Sequence, residues 1–111
     1  MLNDYSITIS TFPDIASAKN AAKMLVERRL AACVQVFPIE SVYCWKDEIC
    51  EDGEVMLFIK SRTALFEAIA TAIKEIHSYE VPEVIQVPIT GGLLEYLGWI
   101  DENTEKGLPG E

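Results

Sequence analysis

The sequence has 111 residues, enough for one domain and too few for two that each bury a core. Half of the residues are hydrophobic and 24% are charged, which excludes a disordered or fibrous chain. Nine Lys and Arg against 18 Asp and Glu leave a formal charge of −9, the wrong sign for a non-specific nucleic-acid binder, and no apolar run reaches the ~18 residues of a membrane span.

The first segment, Tyr5 to Thr11, alternates apolar residues at Tyr5, Ile7 and Ile9 and reads as a strand with one buried face. Thr11 is the expected N-cap of the helix that follows, with Pro13 in its first turn and Asp14 near the positive end of its dipole. Ile15, Ala18, Ala22, Leu25 and Val26 fall on one face of that helix, opposite Lys19, Lys23 and Glu27. Its end is expected between Arg28 and Leu30.

Ala32 to Phe37 reads as a second strand, broken by Pro38 and resumed from Ser41 to Trp45. After a turn around Lys46 to Glu48, Glu51-Asp52-Gly53 has the composition of a bulge, and Glu54 to Lys60 forms a third, central strand. The short connection makes this pair a long antiparallel hairpin. Cys44 and Cys50 face each other across it if the loop holds three residues, and do not if it holds two.

Thr63 is the expected N-cap of a second helix with Leu65, Phe66, Ile69, Ile73 and Ile76 on its apolar stripe, ending near His77 because Val81-Pro82 enforces extended backbone. Val84 to Ile89 is a fourth strand. Gly91-Gly92 breaks it, and Leu93 to Ile100 forms a short last helix. Residues 1–101 then make one domain and 102–111 a flexible tail.

This βαββαβ order predicts an α+β, ferredoxin-like sandwich: a four-stranded antiparallel sheet with two helices on one face and a short C-terminal helix. The third strand has apolar residues on both faces, Val55, Leu57 and Ile59 on one, Met56 and Phe58 on the other. With helices supplied for only one face, an oligomer is expected, with Tyr43 and Trp45 as interface anchors.

The loop His77-Ser78-Tyr79-Glu80-Val81-Pro82-Glu83 places an imidazole, a phenol and two carboxylates within seven positions, a composition suited to ligand binding. A cysteine nucleophile with His77 as base lacks a glycine-rich elbow and an orienting third group. GxGxxG, GxxxxGK[ST] and HExxH are absent, so no catalytic residue and no enzyme activity are expected. Cys33 is either a small buried apolar residue or, with His77, a soft metal ligand suited to copper or zinc. Three cysteines, an odd number, fit reduced thiols, and Met1 to Ser10 lacks the pattern of a signal peptide, so the expected location is cytoplasmic.

Several blocks resemble the CutA divalent-cation tolerance family: Leu30-Ala31-Ala32-Cys33-Val34, Ser41-Val42-Tyr43-Cys44-Trp45-Lys46, Phe58-Ile59-Lys60-Ser61, and above all His77 to Glu83, followed by Pro88-Ile89 and Tyr96-Leu97, Trp99-Ile100. The resemblance implies a compact homotrimer joined through sheet edges and the long hairpin, similar to the PII signal proteins in architecture. It also implies tolerance to copper or another divalent cation as the role, with loosely bound metal. Partners would be a second and third copy and divalent ions, with no nucleic acid and no membrane. Carried over by position, Cys33 and His77 are the metal candidates. Trp45, Lys60, Tyr79 and Glu83 match positions lining clefts between subunits. A small-molecule sensor and a non-catalytic trimeric scaffold are the alternative functions. The chain departs from the family pattern at Ser78, where proline is common, and at Trp45-Lys46-Asp47-Glu48, where Trp-Lys-Gly-Lys is frequent. Glu48 in place of a basic residue argues against an anionic ligand on that arm.

Overall fold

The computed structural model describes residues 4–106. Its elements run β1 (Tyr5–Phe12), α1 (Ile15–Glu27), β2 (Cys33–Trp45), β3 (Glu48–Arg62), a 3₁₀ turn (Thr63–Leu65), α2 (Phe66–Ile76), β4 (Val84–Pro88) and α3 (Leu94–Glu102). The antiparallel sheet has the order β2-β3-β1-β4, the ferredoxin-like arrangement.

The core lies between α1, α2 and one face of the sheet. Ala18, Ala21 and Leu25 of α1 and Leu65, Ile69 and Ile73 around α2 are buried there on Val55, Leu57 and Ile59. Ile15, Val26 and Ile76 point outward instead, so the apolar stripe of α1 is centred on Ala21, a position the periodicity left out. The alanines allow close approach of helix to sheet.

The buried side of β1 is the opposite of the one its pattern predicts. Ser6, Thr8 and Ser10 lie under the helices, while Tyr5, Ile7 and Ile9 stand half-buried on the other face. Ser6 meets Thr63 through a 2.6 Å hydroxyl pair, so part of this polar surface is satisfied inside the core. The helices supply the apolar bulk, and small β1 side chains leave room for it. The isoleucines therefore belong to a second apolar surface with Phe37, Met56, Phe58, Ile85 and Val87, where Phe37 and Phe58 meet edge to face at 5.0 Å.

That second face is not wholly bare. α3 crosses its Lys60–Arg62 end, with the Lys60 ammonium over the Tyr96 ring at 5.6 Å and the Tyr5 hydroxyl donating to Asp101 at 2.5 Å. The acceptor Asp101 is the main reason the Tyr5 phenol titrates high, at about 12, with burial adding to it.

Local expectations fail at four places. Asp14, not Thr11, caps α1: its carboxylate accepts the Ser17 amide at 2.8 Å, and this bond holds its pKa below the usual value. β1 continues through Thr11 and Phe12, leaving Pro13 as the link. β2 runs unbroken through Pro38, which pairs with Val55 on a strand at the sheet edge, where a missing N–H is tolerated. Gly53 forms no bulge, because it lies opposite Glu40 in a regular ladder. Thr63 begins a 3₁₀ turn and caps no helix with its side chain.

The C-terminal stretch expected to be loose is tied down as far as Glu105. Arg29, in a left-handed conformation after α1, donates from its guanidinium to the Glu102 carbonyl and accepts the Glu105 amide, each at 2.6 Å. Thr104 is buried and receives the Arg62 Nε–H at 3.1 Å. The remainder of the expected tail, 107–111, lies outside the described residues.

Candidate functional site

The hairpin reverses through two residues, Lys46 and Asp47, both with positive φ, so Trp45 pairs with Glu48. This register sets every side of the arm. Tyr43, Trp45, Cys50, Asp52 and Glu54 share the face opposite the helices, and Cys44 and Ile49 the other. Cys44 and Cys50 therefore point to opposite faces, and all three cysteines are free thiols.

The loop after α2 is fastened to the end of β1 by His77. Its Nε2–H donates to the Thr11 carbonyl at 2.6 Å, its Nδ1 accepts the Tyr79 amide at 3.1 Å, and its ring stacks on Phe12 at 4.3 Å. An acceptor role for Nδ1 places the proton on Nε2. Both ring nitrogens are occupied, and the ring of Tyr79 leans on the imidazole at 4.6 Å.

So anchored, Tyr79 reaches across to β3, where its hydroxyl donates to Glu54 at 2.7 Å. Burial first, and the Glu54 carboxylate second, push its pKa well above that of a free phenol. On the arm the Tyr43 hydroxyl donates to Asp52, and this bond raises its pKa to about 12. Between loop and arm lies an open cleft of about 420 Å³. Tyr43, Trp45 and Tyr79 supply its rings, Glu54, Glu80 and Glu83 its charges, and Thr11, Ser78 and Val81 complete the lining.

Three of the four cleft candidates, Trp45, Tyr79 and Glu83, thus come together. Lys60 does not: it lies beside α3 with Cys33 opposite it on β2. The metal candidates are also apart within one chain. Cys33 pairs with Lys60, whereas Thr11, which holds His77, pairs with Met56, four residues or about 13 Å along β3. Among the described residues no three His, Cys, Asp or Glu side chains gather as a metal ion would require. Sequence reasoning missed Tyr43 and Glu54 as cleft residues. Tyr43 was within reach, being two positions from Trp45 on one strand face, but Glu54 needed the hairpin register.

Fold and site define a ferredoxin-like α+β domain with an acidic, aromatic cleft where its projecting hairpin meets the loop after α2. The CutA1 divalent ion tolerance protein family matches residues 6–103, and the chain belongs to that family. It is 42% identical over 99 residues to the divalent-cation tolerance protein CutA of Thermus thermophilus, covering 88% of this chain and 96% of that protein. It is 43% identical over 101 residues to human Protein CutA, covering 90% of this chain but 56% of the human protein, so it spans little more than half the length of that relative. The crystal structure of CutA1 from the psychrotrophic bacterium Shewanella sp. SIB1 superposes with a TM-score of 0.91 at 40% identity, covering 96% of this chain and all of that one. Among the described residues no helix is long and apolar enough to cross a membrane.

Proposed function

We propose that this chain serves divalent-cation tolerance by binding the cation, copper foremost, as a homotrimer and without catalysing a reaction. The observation that carries the reading is family membership along the whole packed domain, residues 6–103. The half-bare apolar face of the sheet supports the assembly, because surface of that kind in a folded chain is usually covered by a partner. Cys33 and His77 remain the soft ligands, and their separation in one chain means that they meet only between copies. Coordination through Nδ1 of His77 requires it to release the Tyr79 amide, and coordination through Nε2 costs both bonds, because the proton then moves to Nδ1.

Copper titration of the reduced protein, with mass by light scattering at each point, tests this. The expected result is saturation at about one ion per subunit in an unchanged trimer, weakened at least tenfold in both Cys33→Ser and His77→Ala. Unsaturating uptake indifferent to both substitutions would overturn it. The gathering of Trp45, Tyr79 and Glu83 favours a second reading, a PII-like sensor that binds a small molecule in clefts between subunits; occupancy must raise the melting temperature.

A further inference from the structure

We propose that the tip of the β2–β3 hairpin is a strained hinge through which two folding copies exchange halves, giving a domain-swapped dimer. The exchange is decided while chains fold, before copies assemble. It takes nothing from the sheet face that a trimer covers, and it involves neither metal nor cleft.

The turn itself is strained. Lys46 and Asp47 form the whole reversal, with φ of 50° and 66°, and neither is glycine. Side chains crowd the backbone in this left-handed region, which is why two-residue reversals favour Asn-Gly or Asp-Gly. Straightening the chain from Trp45 to Glu48 returns both residues to ordinary strand geometry. Short, strained connections of this kind are where chains open and swap.

The register makes the exchange complete. Trp45 pairs with Glu48, Cys44 with Ile49 and Tyr43 with Cys50, and the ladder continues unbroken to Cys33 opposite Lys60. Each step down one strand is a step up the other, so the pattern is its own complement about the tip. β2 of one copy therefore meets β3 of a second in the pairing it has at home. Lys46 then faces the partner's Asp47, and Asp47 faces the partner's Lys46. Two strained residues become two cross-strand pairs of opposite charge on a two-fold axis. Each head holds β1, α1 and β2 of one chain with β3, α2, β4 and α3 of the other, and the core of Leu25, Leu57 and Ile73 is rebuilt unchanged. The arm gives the heads room, since a long axis of 43 Å against 26 and 24 Å sets the tip clear of the helices. The closed form wins in dilute solution, where its two halves are tethered, and the swapped form gains as copies become concentrated.

The test uses a thiol already on the arm. Cys44 lies opposite Ile49 in the second pair from the turn, where strands approach to about 4.5 Å between Cα atoms, within reach of a disulfide. The full-length Ile49→Cys chain, with Cys33→Ser and Cys50→Ser to leave one pair of thiols, is refolded from urea at micromolar and at millimolar concentration. All samples are brought to the same dilution before oxidation and run on a denaturing, non-reducing gel. A closed hairpin gives a bond within one chain, and a swapped one gives a covalent dimer. The expected result is a dimer band that rises with refolding concentration. Asp47→Gly should lower the dimer-to-monomer ratio about fivefold, and Asp47→Val, which resists positive φ, should raise it. Covalent dimer that is independent of refolding concentration comes from contacts between assembled copies and would overturn the proposal. So would bonds confined to single chains at every concentration, and so would a ratio that both turn substitutions leave unchanged.

Discussion

The β2–β3 hairpin contrasts two halves of one continuous ladder. In the half nearest the helices, Val55, Leu57 and Ile59 are buried while their neighbours Met56, Phe58 and Lys60 are partly covered. In the distal arm the same alternation continues, yet Val42 is 70% and Ile49 74% exposed. The arm accounts for a long axis of 43 Å against 26 and 24 Å. Alternation therefore decides which side a residue takes, and only the elements laid on that side decide whether it is buried. The base contributes the packed core, and the arm contributes the rings of the cleft.

The largest effect separates the halves directly. Leu57→Ala should cost about 3 kcal/mol in urea unfolding, because it empties a fully packed site. Ile49→Ala on the arm should stay within about 0.5 kcal/mol at concentrations too low for assembly, and a loss that grows with concentration would show that another copy covers the arm. Tyr79→Phe tests the tie between loop and arm. It should cost about 1 kcal/mol after allowance for solvent screening, with loss of the hydrogen bond to Glu54. A smaller effect of opposite sign is expected at the tip. Asp47 holds a φ of 66°, which glycine adopts without strain, so Asp47→Gly should raise stability by about 0.5–1 kcal/mol.

Alkaline titration gives the finest comparison. The Tyr5 and Tyr43 phenols are raised from 10.0 to about 12 in the folded chain by their carboxylate acceptors. The folded state thus keeps protons that the unfolded state gives up. Their contribution is complete below about pH 10 and is lost as pH rises towards 12. The melting temperature should fall more steeply across that window in the parent than in Tyr5→Phe, and Tyr43→Phe should flatten it less, because the arm is more exposed.

Element order was legible because each strand and helix carries its own period, and the His77–Glu83 loop announced itself by composition. The failures have physical sources. Thr11 and Asp14 are both competent caps one helical turn apart, and the choice fell to how far β1 extends along β3. The alternation of Tyr5, Ile7 and Ile9 identified a strand correctly but named the wrong side as the core, since Ser6, Thr8 and Ser10 make room for the helices. Trp45, Tyr79 and Glu83 were placed together by resemblance, whereas the bonds that position the rings, Tyr43 to Asp52 and Tyr79 to Glu54, depend on a two-residue reversal. A slip of one position would have turned the arm's rings to the other face.

Pro38 divides the outer margin of the sheet. β2 is an edge strand of thirteen residues, and every second one turns its backbone groups to the unpaired side, where they would otherwise form a continuous template for any extended chain. One residue without an N–H splits that template into two short lengths, Cys33 to Phe37 and Ile39 to Trp45. A visiting strand cannot zip along the whole margin, so open-ended stacking of sheets is discouraged while a short, defined pairing on either side stays available. The chain thus carries a long exposed margin that is no continuous seed for fibres.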